Sequence, residues 1–284
     1  MRRLIVSADD FGLSPGVNAG ILKAHREGIL TNASVMVNGS AFDEAVDMAR
    51  ANPTLGVGLH LVLVQGRSRL SPEEIPGLVS GDRMFRTNPV ASGMRYYFDR
   101  RLHAQIEREV CAQLEAFCRT GLPLSHVDGH LNIHMHPTVL GILLRVAPRY
   151  DIRALRLPRE PFGISIRLDA RERPRKTLEA LTFKALDGYA SAKLAAHGMH
   201  HADQVFGLHQ SGHVTEGYLL GVIAALPDGV TEDYTHASIV DDDARRWRPA
   251  DYECEGELAA LTSAPVRAAL QTRGVECIRY SDLG

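Results

Sequence analysis

The sequence predicts an α/β fold, a single-domain distorted (β/α) barrel of TIM-like type over residues 1–284. Three observations predict it. Short apolar runs alternate with helical patterns almost from end to end, as in a parallel sheet with helices outside. The 284 residues hold six to eight such units, with no internal repeat and no low-complexity linker. Residues suited to catalysis gather at the carboxyl ends of the runs, where parallel α/β folds build their sites.

Leu4–Ala8 reads as a buried strand and Val17–Arg26 as the helix behind it. Ala33–Val37 is the second strand, and Ser40 with Asp43 resembles an acidic capping box opening a helix through Arg50. Leu55–Val64 is the third strand. From Leu102 to Arg119, Leu102, Ile106, Val110, Leu114 and Phe117 recur at three- and four-residue spacing, which predicts a helix. Pro123–Val127 is a strand, followed by a histidine-rich turn and a helix from Pro137 to Val146. Ala154–Leu157, Gln204–Leu208, Glu232–Thr235 and Val275–Tyr280 read as later strands, and Thr177–His197, Glu216–Ala225 and Glu255–Arg273 as helices. Residues 65–101 and the arginine-rich 159–175 are too long for ordinary connections and read as insertions acting as lids or binding loops.

Composition excludes several classes of function. With 45% hydrophobic and 23% charged residues the chain is ordinary globular material. Thirty-two Lys plus Arg against 34 Asp plus Glu leave a net charge of −2, not the footprint of a nucleic-acid binder. The longest apolar run, around Tyr218–Pro227, is far short of the roughly 18 residues of a transmembrane segment. Met1-Arg2-Arg3 leads into only Leu4-Ile5-Val6 before Asp9-Asp10, so no signal peptide is expected. Cys111, Cys118, Cys254 and Cys277 make no metal pattern. Cys111 and Cys118, two helical turns apart, are separated by about 10 Å, too far for a disulfide. A reduced, cytoplasmic chain is expected, with room for a homo-oligomer.

The chemistry sits at strand ends. Asp9-Asp10 follow Leu4–Ala8, His60 follows Gly56-Val57-Gly58-Leu59, and His236 closes Glu232–Thr235. His126, Asp128, His130, His134 and His136 crowd the end of Pro123–Val127. A carboxylate with two imidazoles makes a three-ligand metal site with positions left open, and a second carboxylate beside it can take a proton from water. Each piece alone also has a plain structural reading. Asp9-Asp10 before Gly12 and Pro15 would cap a turn, and His60 between Leu59 and Leu61 would be a hydrogen-bonded core residue. Asp128-Gly129 and Pro137 oppose helix, so the histidine-rich stretch reads as a loop. Gly12, Gly16 and Gly20 lack the Lys-Ser/Thr of a phosphate loop and read as turn and close packing.

Three stretches carry a resemblance. Ser7-Ala8-Asp9-Asp10-Phe11-Gly12-Leu13-Ser14, Gly56-Val57-Gly58-Leu59-His60-Leu61 and His126-Val127-Asp128-Gly129-His130-Leu131-Asn132-Ile133-His134 match in order the motifs of the YdjC-like carbohydrate deacetylases. The resemblance extends through Gly212–Ser238. It implies a distorted barrel that removes N-acetyl groups from amino sugars with a divalent metal, zinc or magnesium. By position it implies Asp10, His60 and His130 as ligands, Asp9 as general base and His236 as the acid that protonates the departing nitrogen. Asp128 and His134 would support the ligands. Arg156, at the end of Ala154–Leu157, reads either as a substrate-binding or orienting residue or as a surface or salt-bridging arginine. Ala237 stands where the family has proline after the late histidine, and Asn132 where histidine is frequent; neither touches an expected ligand. The chain is most similar to the hopanoid-biosynthesis-associated branch, which implies an N-acetylglucosaminyl lipid. A metal-dependent phosphoesterase and a non-catalytic carbohydrate-binding barrel are the alternatives. Within 65–101, Met84, Phe85, Met94, Tyr96, Tyr97 and Phe98 are concentrated in a chain only 6% aromatic. Phe85 and Tyr96 are expected to anchor the loop onto the barrel, to bury a dimer contact, or to wall an apolar substrate site.

Overall fold

The computed structural model describes residues 1–283. At its centre lies a parallel sheet, and its first strand explains the rest. β1 (Arg2–Phe11) is buried along nearly its whole length, with Leu4, Ile5 and Val6 at 0% exposure, because Leu4 and Val6 join the core formed with helices such as α1 while Ile5 packs inside the sheet against Ala154, Val205 and Tyr280. α1 (Pro15–Glu27) starts where Ser14 accepts the Val17 N–H and Pro15 fits the first turn. β2 (Asn32–Val35), α2 (Phe42–Arg50), β3 (Gly56–Leu61), α3 (Pro89–Phe98), α4 (His103–Cys118), β4 (Val127–Gly129) and α5 (Pro137–Tyr150) follow. After α6 (Phe162–Leu168) and α7 (Arg173–Ala196) come β5 (Gln204–Phe206), α8 (Glu216–Ala225) and β6 (Gly229–Thr235). The chain ends with α9 (Asp242–Trp247), α10 (Cys254–Leu261), α11 (Ala264–Thr272) and β7 (Glu276–Cys277).

Strand order is β4-β3-β2-β1-β6-β5, all parallel, with β7 pairing β1. Ala154–Leu157 makes only single bridges, Val127 to Leu155 and Ala154 to His200. With the Arg156 N–H donating to Val127 O and the Val205 N–H to Arg159 O, it spans the gap between β4 and β5. The sheet therefore curves into a distorted barrel wall. Among the described residues no helix is long and apolar enough to cross a membrane.

Several element boundaries differ from expectation. Glu255–Arg273 is two helices, because Ser263 caps the second and Pro265 sits in its first turn. The Ser40 capping box does not form; α2 begins at Phe42, and the Ser40 hydroxyl donates to Leu13 O at 2.9 Å. Residues 159–175 are not simply a loop, since they contain α6 and the start of α7 with Pro174 in its first turn. Residues 65–101 hold α3, capped by Asn88, and two antiparallel bridges, Arg67 to Met84 and Val79 to Phe85. Gly12 has φ +88°, and any side chain at Gly20 would strike the Ser238 backbone, so turn and close packing describe both.

Candidate metal centre and its cleft

Asp9 and Asp10 are sequence neighbours, and a regular strand would point them to opposite faces. A bulge prevents this. Pairing with β2 slips between Ala8 and Phe11, and Asp10 takes φ 69°, a left-handed conformation that Asp tolerates better than most residues. Both carboxylates consequently reach the same end of the sheet.

His60, on β3, lies in register with Asp128 on β4. Its Nδ1 is 2.8 Å from Asp128 Oδ1 and 3.1 Å from the Ser34 hydroxyl. This fixes the ring so that Nε2 faces Asp10 Oδ1 at 3.5 Å. His130 follows β4 and places Nδ1 3.3 Å from the same oxygen. Directly after it, Leu131 and Asn132 both adopt left-handed backbone, φ 52° and 54°. Two such non-glycine residues in succession cost roughly 1–2 kcal/mol each and persist only where the surroundings hold them. The turn leaves Leu131 45% exposed beside a buried site.

One ligand atom each from Asp10, His60 and His130 lie within 4.8 Å of one another. Asp10 Oδ1 is buried and has no hydrogen-bond partner, although two imidazoles face it. A buried carboxylate oxygen that no hydrogen bond satisfies is costly. One carboxylate oxygen and two imidazole nitrogens fit a divalent cation of the zinc type. The other oxygen, Oδ2, accepts from Arg248 Nε at 3.1 Å. Burial alone would raise the Asp10 pKa; Arg248 and the two histidines instead hold it well below the usual range. Burial would lower that of His60, but Asp128, with Asp9 and Asp10, carries it up to about 9. In the metal-free protein that ring is protonated at neutral pH.

Arg156 is 1% exposed and sits beneath the site. Its guanidinium is 2.9 Å from Asp9, 2.7 Å from Asp128 and 2.9 Å from Glu232, and lies 4.4 Å from the centre of the Tyr234 ring. It is therefore a buried salt-bridging arginine with no surface open to substrate. The His134 ring lies 2.9 Å from Arg156 O through Nε2, and burial lowers its pKa to about 4, so it is a neutral donor bracing this arginine. His126 stacks on Tyr280 at 4.1 Å and belongs to the core. His236 follows β6 and donates its backbone N–H to Glu257. Burial pushes its imidazole pKa down to about 4, and Nδ1 has no partner.

Phe85 and Tyr96 correct the expectation of an apolar substrate wall. Both are 2% exposed, and the Tyr96 hydroxyl donates to Leu63 O at 2.6 Å. They anchor the insertion instead. The cleft that opens on Asp10 and His130 has a volume of about 240 Å³ and is lined by Met36, Asn38, Val62, Arg67, Arg246 and Trp247. Sequence reasoning missed these residues and Arg248. The only usable signal was that Trp247 is the single tryptophan of the chain.

Comparison with known proteins finds relatives along the whole chain. The chain is 34% identical over 283 residues to a carbohydrate deacetylase of Brevibacillus brevis, covering 99% of this chain and 100% of that one. It is 31% identical over 287 residues to a chitooligosaccharide deacetylase of Salmonella paratyphi B, covering 99% of each. Its structure resembles that of an Enterococcus faecalis V583 protein named for cellobiose-phosphate cleavage, with a TM-score of 0.75 and 25% identity, covering 100% of this chain and 99% of that one. The model of one family matches residues 3–272, nearly the whole length, and the chain belongs to that family, the YdjC-like proteins.

Proposed function

We propose that the chain is a metal-dependent carbohydrate N-deacetylase that hydrolyses the acetamide of an N-acetylglucosamine unit to acetate and a free amine. The observation that carries this reading is the convergence of His60 and His130 on the buried Asp10 Oδ1, which no hydrogen bond satisfies, at the floor of a cleft. The names of the Brevibacillus and Salmonella relatives support the substrate class. Asp10, His60 and His130 would hold a divalent cation, which would supply Lewis acidity to polarise an amide carbonyl and acidify water.

The protein's own groups account for the protons. Asp9, oriented by Arg156, takes one from the attacking water. An amine leaves poorly unless protonated, and His236 delivers a proton to the nitrogen. Its pKa of about 4 means the ring enters the reaction neutral. The proton it gives up is therefore one it receives during the cycle, from the water directly or by way of Asp9. Trp247, Met36 and Val62 offer apolar faces to a sugar ring, while Asn38, Arg67 and Arg246 offer donors to its hydroxyls. We extend the reading to a lipid-linked N-acetylglucosamine, as in hopanoid biosynthesis, on the strength of the motif resemblance.

Acetate release from a panel of N-acetylated glycans, with and without chelator, tests the proposal. Chelator-sensitive release supports it, and no release from any member sinks it. A phosphoesterase would instead release phosphate from sugar phosphates. The lipid-linked extension is tested separately, by comparing an N-acetylglucosaminyl lipid with a soluble chito-oligosaccharide.

A further inference from the structure

Among the described residues ten large hydrophobic side chains are exposed, and eight of them lie on α3, on α7 or at Leu131. On α3 they are Val90, Met94, Tyr97 and Phe98, spaced as one helical stripe pointing away from the core. Tyr96, on the opposite side, is what fastens this helix to the protein. The exposed face of α7 carries Leu178, Leu181 and Tyr189, again at helical spacing. Tyr189 meets the α3 stripe at a depression that Tyr97, Phe98 and Arg100 also line, while Leu178 and Leu181 lie about 12 Å or more further along α7. A patch of this kind marks an interaction surface.

Charge selects the partner. Arg86 and Arg100 flank α3 and Arg173 opens α7; all three are exposed, and none makes an ion pair among the described residues. The protein as a whole has a net charge of −2, so this cationic border is local. A second copy docked through the same face would bring these arginines together, whereas an anionic surface would neutralise them. Apolar and aromatic side chains bordered by arginine are what an interfacial element presents to lipid headgroups and upper acyl chains.

We propose that the α3–α7 face docks on an anionic phospholipid surface. The face adjoins the metal centre: the His136 ring, six residues beyond His130, lies 3.0 Å from Gly93 O of α3 through Nε2, and exposed Leu131 follows His130 directly. Docking would bring the cleft mouth toward the membrane, where an amino sugar on a lipid would be met. That consequence rests on the deacetylase reading, but the docking itself does not.

The test is co-sedimentation of the full chain with vesicles of equal parts phosphatidylglycerol and phosphatidylcholine, and with vesicles of phosphatidylcholine alone. Binding should occur on the mixed vesicles, fall as salt is raised, and be weak on phosphatidylcholine. Arg86→Gln with Arg100→Gln should weaken it by about fivefold per charge. Tyr97→Ser with Phe98→Ser should abolish it without changing acetate release from a soluble chito-oligosaccharide or the thermal midpoint. Failure to bind mixed vesicles at low salt overturns the proposal. So does a dimer, measured by light scattering, that Phe98→Ser dissociates while vesicles bind nothing, because a second copy would then cover the face. Loss of acetate release with vesicle binding intact would count against the deacetylase reading alone.

Discussion

Replacing Arg156 with methionine would remove the one guanidinium that faces three buried carboxylates, Asp9, Asp128 and Glu232, at 2.7–2.9 Å. The site is 1% exposed, so water cannot take over the lost charge. Removing one partner of a buried ionic group costs about 3–5 kcal/mol. At about 2–4 °C per kcal/mol for a chain of this length, the thermal midpoint of the metal-free protein should fall by about 6–20 °C. The deficit should depend on pH in a fixed direction. Without Arg156 the burial of Asp128 is opposed only by His60 and His126, so its folded pKa rises, and the penalty is full where Asp128 is ionised and fades as pH falls through that pKa. Arg156→Met should therefore lie closest to wild type at pH 5 and furthest at pH 8. Arg156→Lys, which keeps the charge but loses the fork, should lose less. Differential scanning calorimetry in EDTA reads all of this. A deficit under about 1 kcal/mol at pH 8, or one that does not change with pH, would refute the role given to this arginine.

Four further outcomes follow from the geometry. His60→Ala and His130→Ala should each lose tightly bound metal together with activity, and unchanged metal stoichiometry in both would disprove the ligand set. Asp9→Asn and His236→Ala should keep the metal and lose turnover by about a hundredfold or more; metal lost from Asp9→Asn but kept by Asp10→Asn would exchange the roles of the two aspartates. Because His60 is protonated below about pH 9 in the metal-free protein, metal must displace that proton. Affinity by titration calorimetry should rise by up to tenfold per pH unit between 6 and 9, and a flat profile would refute this. Tyr96→Phe should cost about 0.5–1.5 kcal/mol through its lost bond to Leu63 O, with no change in preference between lipid-linked and soluble substrates.

The legible part of the site was the part set by strand ends. Asp9-Asp10, His60 and His130 stand where apolar runs stop, and a parallel sheet brings such ends together whatever their separation in sequence. The carboxylate pair is more than its position, however. The bulge at Asp10 that turns both groups inward is a tertiary result, since no local signal in Ser7–Gly12 announces a left-handed aspartate. Arg248 was illegible for a related reason: it reaches Asp10 from 238 residues away, out of a loop whose pattern is unremarkable. Two misread elements did carry signals. Ser263 followed by Pro265, and Asn88 followed by Pro89, are helix-start combinations that the hydrophobic pattern obscured. Glu232 and Tyr280, which complete the surroundings of Arg156, look in sequence like ordinary strand and terminal residues.

The left-handed turn after His130 also bears on the unfolded chain. His126, His130, His134 and His136 fall within eleven residues, close enough for a flexible segment to wrap around one cation. The folded turn disperses them: His126 lies against Tyr280, His134 against the Arg156 carbonyl and His136 against Gly93, leaving His130 alone toward Asp10. A cation held as proposed by Asp10, His60 and His130 would therefore have a competing host in the denatured ensemble. It would stabilise the fold only by the difference between its affinity for the native triad and its affinity for this stretch of loose histidines.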